Sequence, residues 1–159
     1  VVMVVASAQL LWLQNRSYSR YAVPVQMAII HQESRFEAKA KPPRKKILGF
    51  IPGPRPSSAY GYSQAKKETW KEYQRNAGRY GADRDDFGDA IDFIGWYNYE
   101  SHKQLGISRK DPYNLYLAYH EGRGGYSRRS YEKKAWLKKV AHKVTNQARR
   151  YRSQLKSCS

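Results

Sequence analysis

Apolar residues recur at helical spacing along most of the chain. Leu10, Leu11, Leu13 and Tyr18 share one side of an amphipathic helix predicted over Val4 to Arg20. Val1 to Ala8 has two readings: the helix start, or a flexible remnant of a signal peptide in which Ala6-Ser7-Ala8 resembles a cleavage site. Pro24 fits the first turn of a second helix, continued by Gln26 to Ser34. A third helix is expected over Ser63 to Asn76, ending at Gly78. Asp85 or Asp86 can cap a fourth, in which Phe87, Ala90, Ile91, Ile94 and Tyr97 keep helical spacing. Asp111-Pro112 reads as an N-cap followed by a first-turn proline, opening a helix from Tyr113 to His120 that the glycines of EGRGGY should stop. The last helix is expected from about Ser130 to Leu155, with an apolar stripe of Leu137, Val140 or Ala141, Val144, Ala148, Tyr151 and Leu155.

Strand patterns are nearly absent, so the expectation is one all-α domain over residues 1–159. The exception is KPPRKKILGFIPGPRP, residues 41–56, which holds five of the seven prolines and excludes a regular helix. Its Ile47, Leu48, Phe50 and Ile51 lead to the expectation that this loop packs down on the domain.

Composition bounds the partners. At 159 residues and 40% hydrophobic, the chain is long enough for a packed core. Thirty lysines and arginines against 13 acids give a formal net charge of +17 and imply an anionic partner: nucleic acid, acidic lipid or an acidic wall polymer. Much of the excess lies in residues 127–159, where eleven bases face one acid, Glu132. The single cysteine, Cys158, permits no disulfide framework. His31, His102, His120 and His142 are scattered without zinc-type spacing, so neither metal nor cofactor is expected.

Glu33 taken alone has two readings: an exposed charge at a helix end, the commoner case, or a buried carboxyl that does chemistry. It follows Ala28-Ile29-Ile30-His31-Gln32 at the end of an apolar helix. A charge withdrawn from water is costly, so such a carboxyl tends to stay protonated, which suits a general acid. Ile29, Ile30 and Phe36 are the expected apolar wall.

Three short pieces extend that reading: ESRF (Glu33 to Phe36), AYGYSQ (Ala59 to Gln64) and LAYHEG (Leu117 to Gly122). In this order, with helices between, they resemble the soluble lytic transglycosylase domain of the goose-type lysozyme-like superfamily. That family shows a Glu-Ser pair ending a buried helix, a Gly-Leu-Met-Gln-like turn and an Ala-Tyr-Asn-Ala-Gly-like helix end. The likeness runs from about Val23 to Tyr126, and the long middle looks like a distinct subgroup of exported bacterial proteins. The chain departs at Tyr62-Ser63 and at His120-Glu121.

The resemblance implies a lysozyme-like helical domain with a groove, acting on the bond between N-acetylmuramic acid and N-acetylglucosamine of peptidoglycan. Glu33 becomes the general acid/base and the product a 1,6-anhydro sugar. Ser34 becomes a support for the Glu or a sugar contact; a hydroxyl bonded to its own helix is the other reading. Gly61 would let backbone approach the sugar, Gln64 would hydrogen-bond near the carboxylate, and Tyr119 would pack beside Glu33 and orient it. Tyr60, Tyr62, Trp96, Tyr97, Tyr99 and Tyr126 are candidates for stacking on sugars, with about half expected to face the groove and the rest to be core or amphipathic surface residues.

Glu121 has two readings: a base for water, making the enzyme a hydrolytic muramidase, or an ion-pair partner of Arg123 or Arg35. Asp86, Asp89 and Asp92 are alternative second carboxylates. Also carried are a wall-binding protein with weak or no activity, and a nucleic-acid-binding module, though no nucleic acid is expected. The remaining expectations are a monomer, exported to the periplasm or cell envelope, meeting an anionic wall or membrane surface through its basic last helix.

Overall fold

The computed structural model describes Tyr18 and residues 22–158. The helix expected over Val4 to Arg20 lies, apart from Tyr18, outside the described residues. Five helices follow: α1 (Val23–Ser34), α2 (Lys67–Asn76), α3 (Phe87–Leu105), α4 (Pro112–Ser127) and α5 (Ala135–Ser157). Two short strands, β1 (Lys46–Ile47) and β2 (Ile51–Pro52), form an antiparallel ribbon between α1 and α2.

Local chemistry sets the boundaries. Pro24 sits in the first turn of α1, where its missing N–H costs no hydrogen bond. Asp86 caps α3 by accepting from the Asp89 N–H at 2.8 Å, and left-handed Gly106 ends that helix. Asp111 caps α4 by accepting from the Asn114 N–H at 3.1 Å.

Helix α3 is the hub. Ala90, Ile91, Phe93, Ile94, Trp96 and Tyr97 are all buried. Helix α2 adds Trp70 and Tyr73, whose rings lie 5.1 to 5.6 Å from those of Phe93 and Trp96. Helices α1 and α4 each pack on both α3 and α5. The stripe expected on the last helix is its core face: Leu137, Ala141, Val144 and Ala148 are buried, with Val140 and Tyr151 packed beside them.

Three expectations are corrected. Helix α2 begins at Lys67 rather than Ser63, because Gln64 is left-handed (φ 52°) and Ala65 bridges back to Tyr60. Helix α5 begins at Ala135 rather than about Ser130, because Arg129 is left-handed (φ 59°) and turns follow it. The helix from Pro112 does break in the glycines after His120, as expected: Gly122 leaves helical geometry (φ 76°, ψ 158°), and a second helical segment follows to Ser127. The proline-rich loop does not pack down. It forms the ribbon, and Leu48 and Phe50 at its tip remain 79% and 77% exposed.

Candidate active site

Helix α1 ends abruptly just past Glu33. Arg35 and Phe36 both take left-handed backbone (φ 55° and 64°), and the Arg35 N–H closes the last turn on the His31 carbonyl at 3.1 Å. Two successive non-glycine residues in that region are strained, and such strain gathers at functional positions. The termination leaves Glu33 in the final turn, facing a cavity of about 230 Å³.

The cavity is built from all three motifs. Glu33 comes from α1, Gln64 and Ala65 from the turn before α2, Phe93 and Tyr97 from α3, and Tyr119 and Glu121 from α4. The apolar wall is therefore Ala65, Phe93, Tyr97 and Tyr119, rather than Ile29, Ile30 and Phe36. The two isoleucines are wholly buried on the core side of α1, and Phe36 packs against Phe87.

Burial in this cavity pushes the Glu33 carboxyl up to about 7, against the opposing effect of a hydrogen bond from Tyr116. The Tyr116 hydroxyl donates to Glu33 Oε1 at 3.1 Å. Burial, together with the charge and hydrogen bond of Glu33, drives the Tyr116 phenol far above its ordinary range, so it stays a donor. The sequence reading missed Tyr116. Its one signal was the spacing of three from Tyr119, which places both tyrosines on one side of α4.

Tyr119 stands in the same cavity, but its hydroxyl donates to the Ser63 carbonyl at 2.6 Å. It thus ties α4 to the AYGYSQ turn, while Tyr116 makes the bond to the carboxyl. Ser34 is buried, with its hydroxyl donating to the Ile30 carbonyl at 3.2 Å, the helix-bonded alternative. The Gln64 amide nitrogen donates to the carbonyls of Ala40 and Gly61, each at 2.9 Å.

The close approach that requires a glycine at position 61 is made by the backbone of Arg84. A Cβ there would lie 2.0 Å from the Arg84 carbonyl oxygen, and φ is 79°. Tyr60 donates to Asp85 at 3.0 Å and carries Arg84 and Lys41 near its ring, while Tyr62 packs edge-on to Phe87. Of the aromatic candidates, Tyr97 alone lines the Glu33 cavity. Trp96 is core, Tyr126 stacks on Tyr131, and Tyr99 lies against Tyr18.

Glu121 reaches the cavity edge with its side chain only 5% exposed. Burial alone would raise it, but hydrogen bonds from Lys134, Ser130 and His120 hold its carboxyl below the usual range. Lys134 Nζ lies 2.8 Å from both carboxylate oxygens, and the Ser130 hydroxyl donates at 2.8 Å. The ion-pair partner is thus Lys134. Arg123 instead pairs with Glu72 at 2.8 Å, and Arg35 contacts the His31 ring.

The other acids are occupied elsewhere. Asp86 is the α3 cap, Asp89 accepts from the Asp83 N–H and Arg79, and buried Asp92 accepts from the Tyr73 hydroxyl at 2.7 Å. None of the three lines the cavity.

The geometry is that of a half-buried, protonatable carboxyl at the end of a buried helix, in a groove floored by aromatic rings. The family model described as Transglycosylase SLT domain matches residues 7–158, and the chain belongs to that family. Comparison with curated proteins and with solved structures gives no match. Membership gives an all-α, lysozyme-like domain and, at the level of the family, a peptidoglycan-cleaving enzyme.

Proposed function

We propose that this chain is a lytic transglycosylase in which Glu33 alone serves as acid and then base. One contrast carries the reading. Glu33, raised to about 7, exchanges its proton near neutral pH and is present in both the acid and the base form, whereas Glu121 is ionised and committed to Lys134, Ser130 and His120. Protonated Glu33 donates to the oxygen between N-acetylmuramic acid and N-acetylglucosamine, and that bond breaks. The substrate's own acetamido oxygen stabilises the cationic carbon, a known exception to the two-carboxylate scheme. The Glu33 carboxylate then takes the proton of the muramic 6-hydroxyl, whose oxygen bonds to that carbon. A 1,6-anhydro end forms, no water is consumed and Glu33 is protonated again. Tyr116 positions the carboxyl throughout.

The basic face of α5 is read as the contact with anionic wall or membrane surface. Lys139, Lys143, Arg149, Arg150 and Arg152 are exposed. Lys143 and Arg150 join Arg35 and His31 around a second cavity of about 340 Å³, suited to carboxylates or phosphates. Action on peptidoglycan implies a protein outside the cytoplasm, in the periplasm or cell envelope, and it is read as working as a monomer.

Digestion of purified peptidoglycan followed by mass spectrometry tests the reaction. Anhydro ends support it. Reducing ends, one water heavier, would make Glu121 the base of a muramidase.

A further inference from the structure

The proline-rich ribbon is not used by the chemistry above. It leaves the domain at Ala40 and returns at Gly61, where the Gly61 N–H donates to the Ala40 carbonyl at 2.9 Å. Arg55 donates to the Pro42 carbonyl and Gly53 to Lys45, so the two arms are tied together. Gly53 permits this close pairing, since a Cβ would come within 2.8 Å of the Lys45 carbonyl oxygen.

The tip is apolar and stands in water. Ile47, Leu48, Phe50 and Ile51 are 49%, 79%, 77% and 43% exposed. Leu48 and Gly49 both have positive φ, and the Phe50 N–H bonds the Ile47 carbonyl at 3.3 Å, the signature of a tight I′-like turn. Its first central position favours Asn, Asp or Gly, yet here it holds an exposed leucine in a strained conformation. Neither folding nor turn chemistry accounts for that choice.

The surroundings of the tip are uniformly cationic. Lys39, Lys41, Arg44, Lys45, Lys46 and Arg55 flank it, and no acid occurs between Glu37 and Glu68. A second copy of the same ribbon would bring like charges together. A glycan strand lays its C–H faces on flat aromatic rings, which aliphatic Leu48 and Ile47 do not offer. An apolar tip ringed by cations matches the boundary of an anionic bilayer, where headgroup phosphates lie above acyl chains. No described helix is long and apolar enough to cross a membrane.

We propose that the ribbon tip is a membrane-surface anchor. Leu48 and Phe50 enter the headgroup–acyl boundary of an anionic bilayer, and Lys45, Lys46, Arg44 and Arg55 contact lipid phosphates. Because the ribbon base is bonded to Ala40 and Gly61, and Gln64 joins those residues to the cavity, the anchor holds the groove near the lipid surface. This holds whichever product the enzyme makes.

The test is co-sedimentation with phosphatidylcholine vesicles, with and without phosphatidylglycerol. The parent protein binds the phosphatidylglycerol vesicles. The double variant Leu48→Ser, Phe50→Ser keeps every charge yet binds them at least about tenfold more weakly, with unchanged circular dichroism. In a Phe50→Trp variant, the indole emission gained over the parent, which has four tryptophans of its own, shifts to the blue on those vesicles and is quenched by lipids brominated on the acyl chain. Equal binding by the double variant would reduce the effect to net charge and overturn the proposal. So would no binding by the parent, or an indole emission in the Phe50→Trp variant that acyl bromine leaves untouched.

Discussion

The hydroxyl of Tyr116 donates to Oε1 of Glu33 at 3.1 Å, joining residues 83 positions apart in the chain. Burial raises the carboxyl, and this bond, which favours the carboxylate, holds it back to about 7. Tyr116 therefore sets both the orientation of the acid and the pH at which it loses its proton.

Replacing Tyr116 with Phe removes the lowering influence. The alkaline limb of the pH–rate profile, near 7 in the parent, moves upward in the variant. Activity at the optimum falls by about tenfold or less, since the acid itself remains. Peptidoglycan turnover followed from pH 5 to 9 (roughly the range where such a group titrates) measures both effects.

Glu33→Gln should lower cleavage by on the order of 10²-fold or more, because the amide keeps the shape but donates no useful proton. The same variant should be more stable than the parent at alkaline pH. The native carboxyl titrates near 7, and the unfolded one near the model value of 4.5. Between those values the native state holds more protons, so the parent loses stability as pH rises and reaches a plateau above 7. The advantage of the variant grows across that window to as much as about 3 kcal/mol, and is smallest below pH 4.5. Urea melts at pH 5 and pH 8 read the difference.

Glu121→Gln separates the two reactions. With Glu121 bound to Lys134 and Ser130, the variant should keep activity within about tenfold and still release anhydro ends. A base for water would cost roughly 10²–10⁴-fold. Rates and product masses from one digestion decide it.

Gly61→Ala should destabilise the domain by about 2 kcal/mol or more, because the new Cβ meets the Arg84 carbonyl at 2.0 Å and φ is 79°. For a chain of this length that is a fall in melting temperature of roughly 4–8 °C. The measurement is thermal unfolding followed by circular dichroism.

Binding to isolated wall should weaken steeply with added sodium chloride, since the exposed cations of α5 act through screened charge. Pelleting with purified wall across a salt series checks this. A flat response would remove α5 as the contact.

Much of this architecture was legible from periodicity and caps. Asp86 and Asp111-Pro112 opened their helices as read, and the stripe from Leu137 to Ala148 is buried. Glu33 was legible because a carboxylate after Ile29-Ile30 conflicts with ordinary burial. The errors came where backbone conformation overrides side-chain pattern. Left-handed Gln64 delayed α2, and left-handed Arg129 delayed α5. Long-range partners were hidden for a different reason. That Lys134 rather than Arg123 pairs with Glu121 depends on how the chain after Ser127 turns back, which no local spacing records.

Helices α1 and α4, which supply Glu33 and Tyr116, both pack against α5. The acid and its positioning tyrosine are thus brought together on a support made from much later sequence. During synthesis, chain emerging through α4 already carries every residue of the cavity and the α3 face on which α1 and α4 also pack, but lacks the second brace between them. Of the two surfaces that brace α1 against α4, the chain therefore makes one before the cavity's last residue and the other after it.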